Sequence, residues 1–320
     1  MGPSSPTPGW DTHAVRSWHK AVVGGALLGA TALGYARWEA ASYRLRRAHV
    51  PVLEAGEPDL RLLHLSDLHM TPSRNRLQNW VASLAELRPD LVIVTGDFLA
   101  HPQAVDPVIE SLDPLLDRPG AFVLGSNDYF APRPINPFAY LAGPSDLHPD
   151  RPELPWPELV SRLAAAGWAH LPNARRVLEV GSRTIEIRGV DDPHIERDDY
   201  ALVAGSPDPA ADLAIGIAHA PYYRVLDAMA ADGLDFALAG HTHGGQVRIP
   251  GIGALVTNCD LDRSRARGLS EHPRPLMEFA SHDNPAMPLH VSAGLGTSPY
   301  APIRFACPPE ATLVTLTTRG

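Results

Sequence analysis

The chain has 320 residues, 44% of them hydrophobic and 20% charged, with a formal net charge of -9 at pH 7. That length suits one large globular domain or two small ones, and such a chain can bury roughly three quarters of its unfolded surface. The acidic balance argues against broad nucleic-acid binding, which depends on Lys and Arg, so no nucleic-acid partner is expected; a phosphorylated substrate stays open wherever bound metal supplies local positive charge. Cys259 and Cys307 are the only cysteines. They make no disulfide framework, and either pair in an oxidising compartment or stay as two buried thiols.

Residues 1–15, rich in Pro, Ser, Thr and Gly, read as a disordered N-terminus. Residues 16–42 contain a charge-free stretch at 21–36, flanked by Trp18 and Trp38. A spanning helix needs about 20 apolar residues, roughly 17 at the least, and interfacial tryptophans can extend a shorter one. The segment is expected to anchor the protein to a membrane as a single N-terminal hydrophobic helix. A cleaved signal peptide, with the small residues Ala30-Thr31-Ala32, and an ordinary Ala-rich helix are the alternatives. Arg37, Arg44, Arg46 and Arg47 would hold the body on the cytoplasmic side, unless they belong to the first strand.

The folded domain is expected over 43–320. Apolar runs predict strands at 60–65, 91–94 and 121–124, with amphipathic helices at 75–87 and 105–116 between them. Strands alternating with helices imply a largely parallel sheet, whose ligands gather at the strands' carboxyl ends. Residues 129–155, rich in Pro, Asn, Asp and Gly, are too long for a plain connector and read as a lid or substrate loop. A helix at 158–166 and a hairpin of 177–180 with 184–188 follow. Then come a strand at 213–217, a helix at 222–231, a strand at 236–238, and short strands at 246–249, 289–292 and 312–316.

Five of these elements end in polar blocks: Asp67-Leu68-His69, Gly96-Asp97, Gly125-Ser126-Asn127-Asp128, His219, and Gly240-His241-Thr242-His243. Alternate residues of an extended segment point the same way, so Asp67 and His69 can face one spot. Taken singly, each block has an ordinary explanation as turn residues or a core histidine. Taken in order, Asp67, His69, Asp97, Asn127, His219, His241 and His243 offer two carboxylates, one amide and four imidazoles. Such N/O donors suit manganese, iron or zinc. Seven donors suit two divalent ions sharing one carboxylate, the clamp that phosphatases and nucleases use.

These blocks resemble the calcineurin-like metallophosphoesterase superfamily, whose pattern is Asp-x-His, Gly-Asp, Gly-Asn-His-Asp/Glu, a lone His and Gly-His-x-His. The resemblance runs from about residue 43 to the end. It takes in Gly244-Gly245-Gln246, Gly294-Leu295-Gly296-Thr297, Pro302-Ile303-Arg304 and Pro309-Glu310, and looks like the bacterial membrane-associated branch. It implies a four-layer α-β-β-α sandwich of two stacked mixed sheets. It also implies that Asp67, His69 and His243 hold one metal, that Asn127, His219 and His241 hold the other, and that Asp97 bridges. The implied activity is hydrolysis of phosphoric esters by a metal-bridging hydroxide; the hydrophobic segment and the altered third block lean the expected substrate toward phosphodiester or phosphoanhydride bonds of a phosphorylated small-molecule or lipid-linked compound.

The third block departs from the family. Aligned without a gap, Ser126 replaces the metal-binding Asn; with a one-residue slip, Asn127 is the ligand and Asp128 takes the place of the His beside the leaving group. An amide oxygen is the better donor, which favours the slip and makes Asp128 a candidate catalytic group. Either way the family's histidine is absent, and a metal-binding, membrane-anchored protein with little or no catalysis is the alternative function. Outside the blocks, His64 reads as structural. His101, Asp191, Asp192 and His194 line the cleft or belong to loops, and Arg304 contacts a phosphate or pairs with a carboxylate.

Overall fold

A computed structural model describes residues 12–134, 151–274 and 286–319. Helix α1 (Thr12–Glu39) leads into β1 (Arg44–Leu53) and β2 (Leu60–Leu65). Then come α2 (Asn75–Ser83), β3 (Leu91–Thr95), α3 (Val105–Leu112), β4 (Gly120–Val123), the one-turn α4 (Ser126–Tyr129), α5 (Trp156–Ala165) and β5 (Ala169–His170). The second half holds β6 (Ala174–Val180), β7 (Arg183–Gly189), β8 (Leu213–Ala218), α6 (Tyr223–Ala231) and β9 (Phe236–Ala239). It closes with β10 (Arg248–Ile249), β11 (Gly253–Ala254), β12 (Gly268–Pro273), β13 (Ala286–Val291) and β14 (Glu310–Thr318).

Two six-stranded mixed sheets result, ordered β1-β14-β2-β3-β4-β5 and β12-β13-β9-β8-β7-β6. The central strands of each are parallel, and β14 runs antiparallel to β2. Side-chain alternation explains why they stack. Leu60 and Leu62 of β2, with Leu91 and Ile93 of β3, face the other sheet and meet Ile185, Ile215, Ile217, Phe236 and Leu238. Leu63, Leu65, Val92 and Val94 face outward, against Leu77 and Val81 of α2, Val108 and Leu112 of α3, and Leu159 and Leu163 of α5. On the far side, Val225, Leu226 and Met229 of α6 cover Ala214, Ala237, Leu289 and Val291. Strands buried on both faces read as continuous apolar runs, which is why they were visible in the sequence.

The expected helices at 75–87 and 105–116 are shorter and end in 3₁₀ turns at Leu84–Leu87 and Asp113–Leu115. The expected strand at 246–249 shrinks to β10. The C-terminal strand is longer than expected and pairs in parallel with β1, so residues 44–53 and 310–318 close one sheet edge together. The helix α1 opens at Thr12, inside the segment read as disordered, and residues 1–11 lie outside the described residues. Val23, Leu27, Leu28, Leu33, Tyr35 and Trp38 are exposed along it. Among the described residues no helix is long and apolar enough to cross a membrane, so the expected anchor is a helix that falls short of a span. Its end is tied to the domain: Arg304 N donates to Ala36 O at 2.9 Å, and Cys307 N to the buried Glu39 carboxylate at 3.2 Å. Of the loop read as a lid, residues 135–150 lie outside the described residues. Its two ends run together, with Ala131 N donating to Pro152 O at 2.8 Å and Leu154 N to Tyr129 O at 2.9 Å.

Phe236 is fully buried between the sheets. Truncation to Ala is expected to cost about 3–5 kcal/mol, read as a lowered urea midpoint, whereas a loss under about 1 kcal/mol would contradict the packing described.

Candidate metal centre

The polar blocks sit where parallel strands end. Asp67 and His69 follow β2, Asp97 follows β3, Asn127 lies in α4 just past β4, His219 follows β8, and His241 and His243 follow β9. The loops after β2 and β3 keep pairing beyond the strands: Asp67 N donates to Gly96 O at 2.9 Å, His69 N to Asp97 O at 2.9 Å and Met70 N to Phe98 O at 2.7 Å. The backbone there is not extended. Asp67, His69, Asp97, His241 and His243 have φ of 52°, 42°, 54°, 67° and 48°. Left-handed non-glycine residues cost of order 1–3 kcal/mol each and cluster at functional sites. Asp67 and His69 therefore share a face by a left-handed turn rather than by strand alternation.

Asp67, His69, Asp97 and His243, all buried, each offer a ligand atom, and these atoms lie within 4.8 Å of one another. His69 Nε2 is 3.1 Å from His243 Nε2 and 3.4 Å from Asp97 Oδ2, and His243 Nε2 is 3.7 Å from Asp67 Oδ1. Burial pushes the His69 imidazole down to about 4 and that of His243 well below its usual value, so both are neutral at pH 7. His69 Nδ1 is buried with no hydrogen-bond partner. Two neutral imidazoles and two carboxylates facing one another form an acceptor-rich cluster of the kind a cation satisfies.

A second group adjoins it through Asp97. His219 Nε2 lies 3.6 Å from Asp97 Oδ2, while Nδ1 is 2.8 Å from Thr95 O and donates to it, turning Nε2 to the centre. His241 Nε2 lies 3.1 Å from Asn258 O, which leaves Nδ1 facing His219 Nε2 at 3.3 Å. Asn127 donates to Asp97 from both its backbone N, at 2.9 Å to Oδ1, and its side-chain Nδ2, at 2.8 Å to Oδ2. Of the third block, it is the Asn127 side chain that reaches Asp97, and turning its amide over presents the oxygen there instead. Gly125 lies so close that a Cβ would collide with Asp97 Oδ1 and His219 Nε2.

Asp128 turns its carboxyl to the main chain. It is fully buried, and its carboxylate accepts from Asp97 N at 2.8 Å, Gly125 N at 2.9 Å and Leu99 N at 2.9 Å. Burial, with the Asp97 charge, pushes its carboxyl up to about 8. Its place is that of a clamp holding the two loops together. Arg304 directs its bonds to main-chain carbonyls rather than to a carboxylate. It is fully buried, with Nη2 donating to Gly296 O at 2.7 Å and Gly294 O at 3.1 Å, and it lies 3.2 Å from His243 Nδ1.

His194 does sit at the site, its ring centroid 4.4 Å from that of His241. The Asp192 carboxylate caps the following turn by accepting from His194 N at 2.8 Å. Asp191 instead ties Tyr129, at 2.6 Å, to Arg197, at 3.0 Å, and His101 Nδ1 accepts from Gln103 N in the turn before α3. Cys259 and Cys307 are free thiols. Asn258, which orients His241 through a main-chain carbonyl, carries no sequence signal.

A calcineurin-like phosphoesterase family model matches residues 60–245. Over 314 residues the chain is 24% identical to the Bacillus subtilis uncharacterized metallophosphoesterase YkuE, covering 92% of this chain and 93% of that one. It is 24% identical to the Escherichia coli phosphodiesterase YaeI, covering 86% and 88%. It is 26% identical to the Chlamydia trachomatis UDP-2,3-diacylglucosamine pyrophosphatase LpxG, covering 80% and 83%.

The His219 imidazole gives a pH prediction. Burial opposes its charge, but the carboxylates of Asp97, Asp192 and Asp67 outweigh that and raise it to about 9. A metal ion taking Nε2 displaces this proton. Calorimetric titration with Mn²⁺ should therefore show affinity rising with pH, by up to about tenfold per unit below that value, with proton release. Affinity independent of pH across that range would contradict the assignment.

Proposed function

We propose, for a chain that belongs to the calcineurin-like phosphoesterase family and is a metal-dependent hydrolase of phosphoric esters, that two divalent ions act together and that the substrate is a phosphodiester or phosphoanhydride. The observation that carries the dinuclear reading is the place of Asp97. Its Oδ2 lies 3.4 Å from His69 Nε2 and 3.6 Å from His219 Nε2, so one carboxylate faces both histidine groups. Asp67, His69 and His243 would hold one ion and Asn127, His219 and His241 the other, with Asp97 shared. Ions held there would neutralise phosphoryl charge and lower the pKa of a water, the chemistry of two-metal hydrolases. The donor set, nitrogen and oxygen without thiolate, suits manganese, iron or zinc.

The chain's own part is orientation. Thr95 O and Asn258 O fix which nitrogens of His219 and His241 face inward. Asp128 holds the backbone from which Asp97 projects. The third block lacks the family's histidine, and the Asp128 carboxyl that follows Asn127 is engaged by the main-chain amides of Asp97, Leu99 and Gly125. That favours substrates whose leaving group departs readily, and the names of YaeI and LpxG, a phosphodiesterase and a pyrophosphatase of a lipid-linked nucleotide, support the same preference. We take residues 43–320 as the catalytic unit.

The test is a panel of chromogenic phosphate mono- and diesters with Mn²⁺, before and after chelation. Diesters should turn over faster than monoesters, chelation should abolish both, and Asp97→Asn should lower kcat/KM by about 10²–10³ or more at unchanged circular dichroism. Turnover that survives Asp97→Asn, or a clear monoester preference, would overturn the reading.

A further inference from the structure

The layer between the sheets is built mainly of apolar side chains, but polar groups enter it at β2 and β13. His64 of β2 and His290 of β13 face each other across it, Nδ1 to Nδ1 at 2.9 Å, both buried. His64 Nε2 is 2.9 Å from Thr95 Oγ1, Thr95 Oγ1 donates to Ser66 Oγ at 2.8 Å, and Ser66 Oγ donates to Asp67 Oδ2 at 2.6 Å. Polar groups in such a layer cost stability unless each is satisfied, and an apolar pair of similar shape would be the cheaper way to fill it. This string of four side chains ends on a candidate metal ligand.

The direction of every bond in it follows from the last one. An ionised Asp67 only accepts, so the Ser66 hydroxyl hydrogen points at Oδ2. Ser66 then accepts from Thr95. Thr95, its one hydrogen spent, accepts from His64, which must carry its proton on Nε2. A neutral His64 therefore offers a lone pair at Nδ1, and His290 must donate from its own Nδ1. Burial keeps both imidazoles below their usual pKa, consistent with neutral rings. All the dipoles align toward Asp67, an arrangement in which successive bonds strengthen one another. With His241 N donating to Asp67 from the other side at 3.1 Å, the carboxylate is held against rotation.

We infer that His290, His64, Thr95 and Ser66 form a one-way hydrogen-bond relay across the two sheets that orients Asp67 and sets how tightly it holds metal. They are positioning residues, and the inference rests on the dinuclear reading above only for its catalytic consequence. The relay itself is read in metal-free protein.

The test uses the full chain. In ¹⁵N-histidine NMR of the metal-free protein above neutral pH, His64 should show the Nε2–H tautomer and His290 the Nδ1–H tautomer. In Mn²⁺ titrations, His64→Leu and Ser66→Ala should each weaken binding by about 10–100-fold, and the double variant should be no worse than the weaker single, because both cut one chain. His64→Gln, which keeps an N–H donor near Thr95, should recover most of the loss. Should His64→Leu fail to fold, Ser66→Ala and the tautomers carry the test. An Nδ1–H tautomer at His64, Mn²⁺ affinity unchanged in Ser66→Ala, or fully additive losses would overturn the relay. Loss of the diester activity expectation alone would bear on the hydrolase reading and leave the tautomers as they are.

Discussion

Asp97 has two oxygens and four groups that need them. Oδ1 accepts from Asn127 N; Oδ2 faces Asn127 Nδ2, His69 Nε2 and His219 Nε2. Burial alone would raise its pKa, but the neighbouring histidines and the Asn127 donors outweigh burial and hold the carboxyl well below the usual carboxylate range. An ionised group with neighbours from two other loops of its own sheet and one of the second can be buried only if its backbone is placed tightly. Much of what surrounds it serves that placement. Asp128 ties Asp97 N to Gly125 N, and Gly125 brings α4 in to a distance that any Cβ would prevent.

Strain follows from the same constraint. The chain must turn sharply at the end of each parallel strand and still aim its side chains inward, and five of the candidate ligands do so with left-handed backbone. The cost is offset by the bonds between successive loops and by Arg304, whose guanidinium gathers the carbonyls of Gly294 and Gly296 beneath His243. Gly240 approaches Ser66 so closely that a Cβ would overlap its hydroxyl, which sets the loop after β9 directly against the end of the relay. The two sheets are thus joined at the site by polar contacts and elsewhere by the apolar layer.

The parts of this that the sequence showed were those written in residue type at strand ends. Leu60–Leu65 and Leu91–Thr95 read as buried strands because both faces are covered, and each is followed at once by the polar residues that the site gathers. Asp67, His69, Asp97 and His243 come within reach of one another, with Asn127 and His219 beside Asp97 and His241 beside His219. The route by which Asp67 and His69 do so was misjudged, since φ is not written in those residue types. Asp128 holds main-chain amides, and its position three residues on from Gly125 is where a carboxylate holds a helix N-terminus. Asn258 and the main-chain partners of Arg304 were invisible because carbonyls are common to every residue. His64 looks structural in the sequence, and nothing in its strand announces His290, which lies 226 residues away. The segment at 21–36 was judged on its lack of charge, but its glycines, alanines and threonine give less apolar surface than a span requires.

The central claim is that one carboxylate joins two cation positions. X-ray absorption and anomalous scattering from protein saturated with Mn²⁺ test it most directly. The account predicts two ions per chain, about 3.5–4 Å apart and on either side of Asp97. A single ion among Asp67, His69 and His243, with His219 and His241 left without metal at saturation, would contradict it.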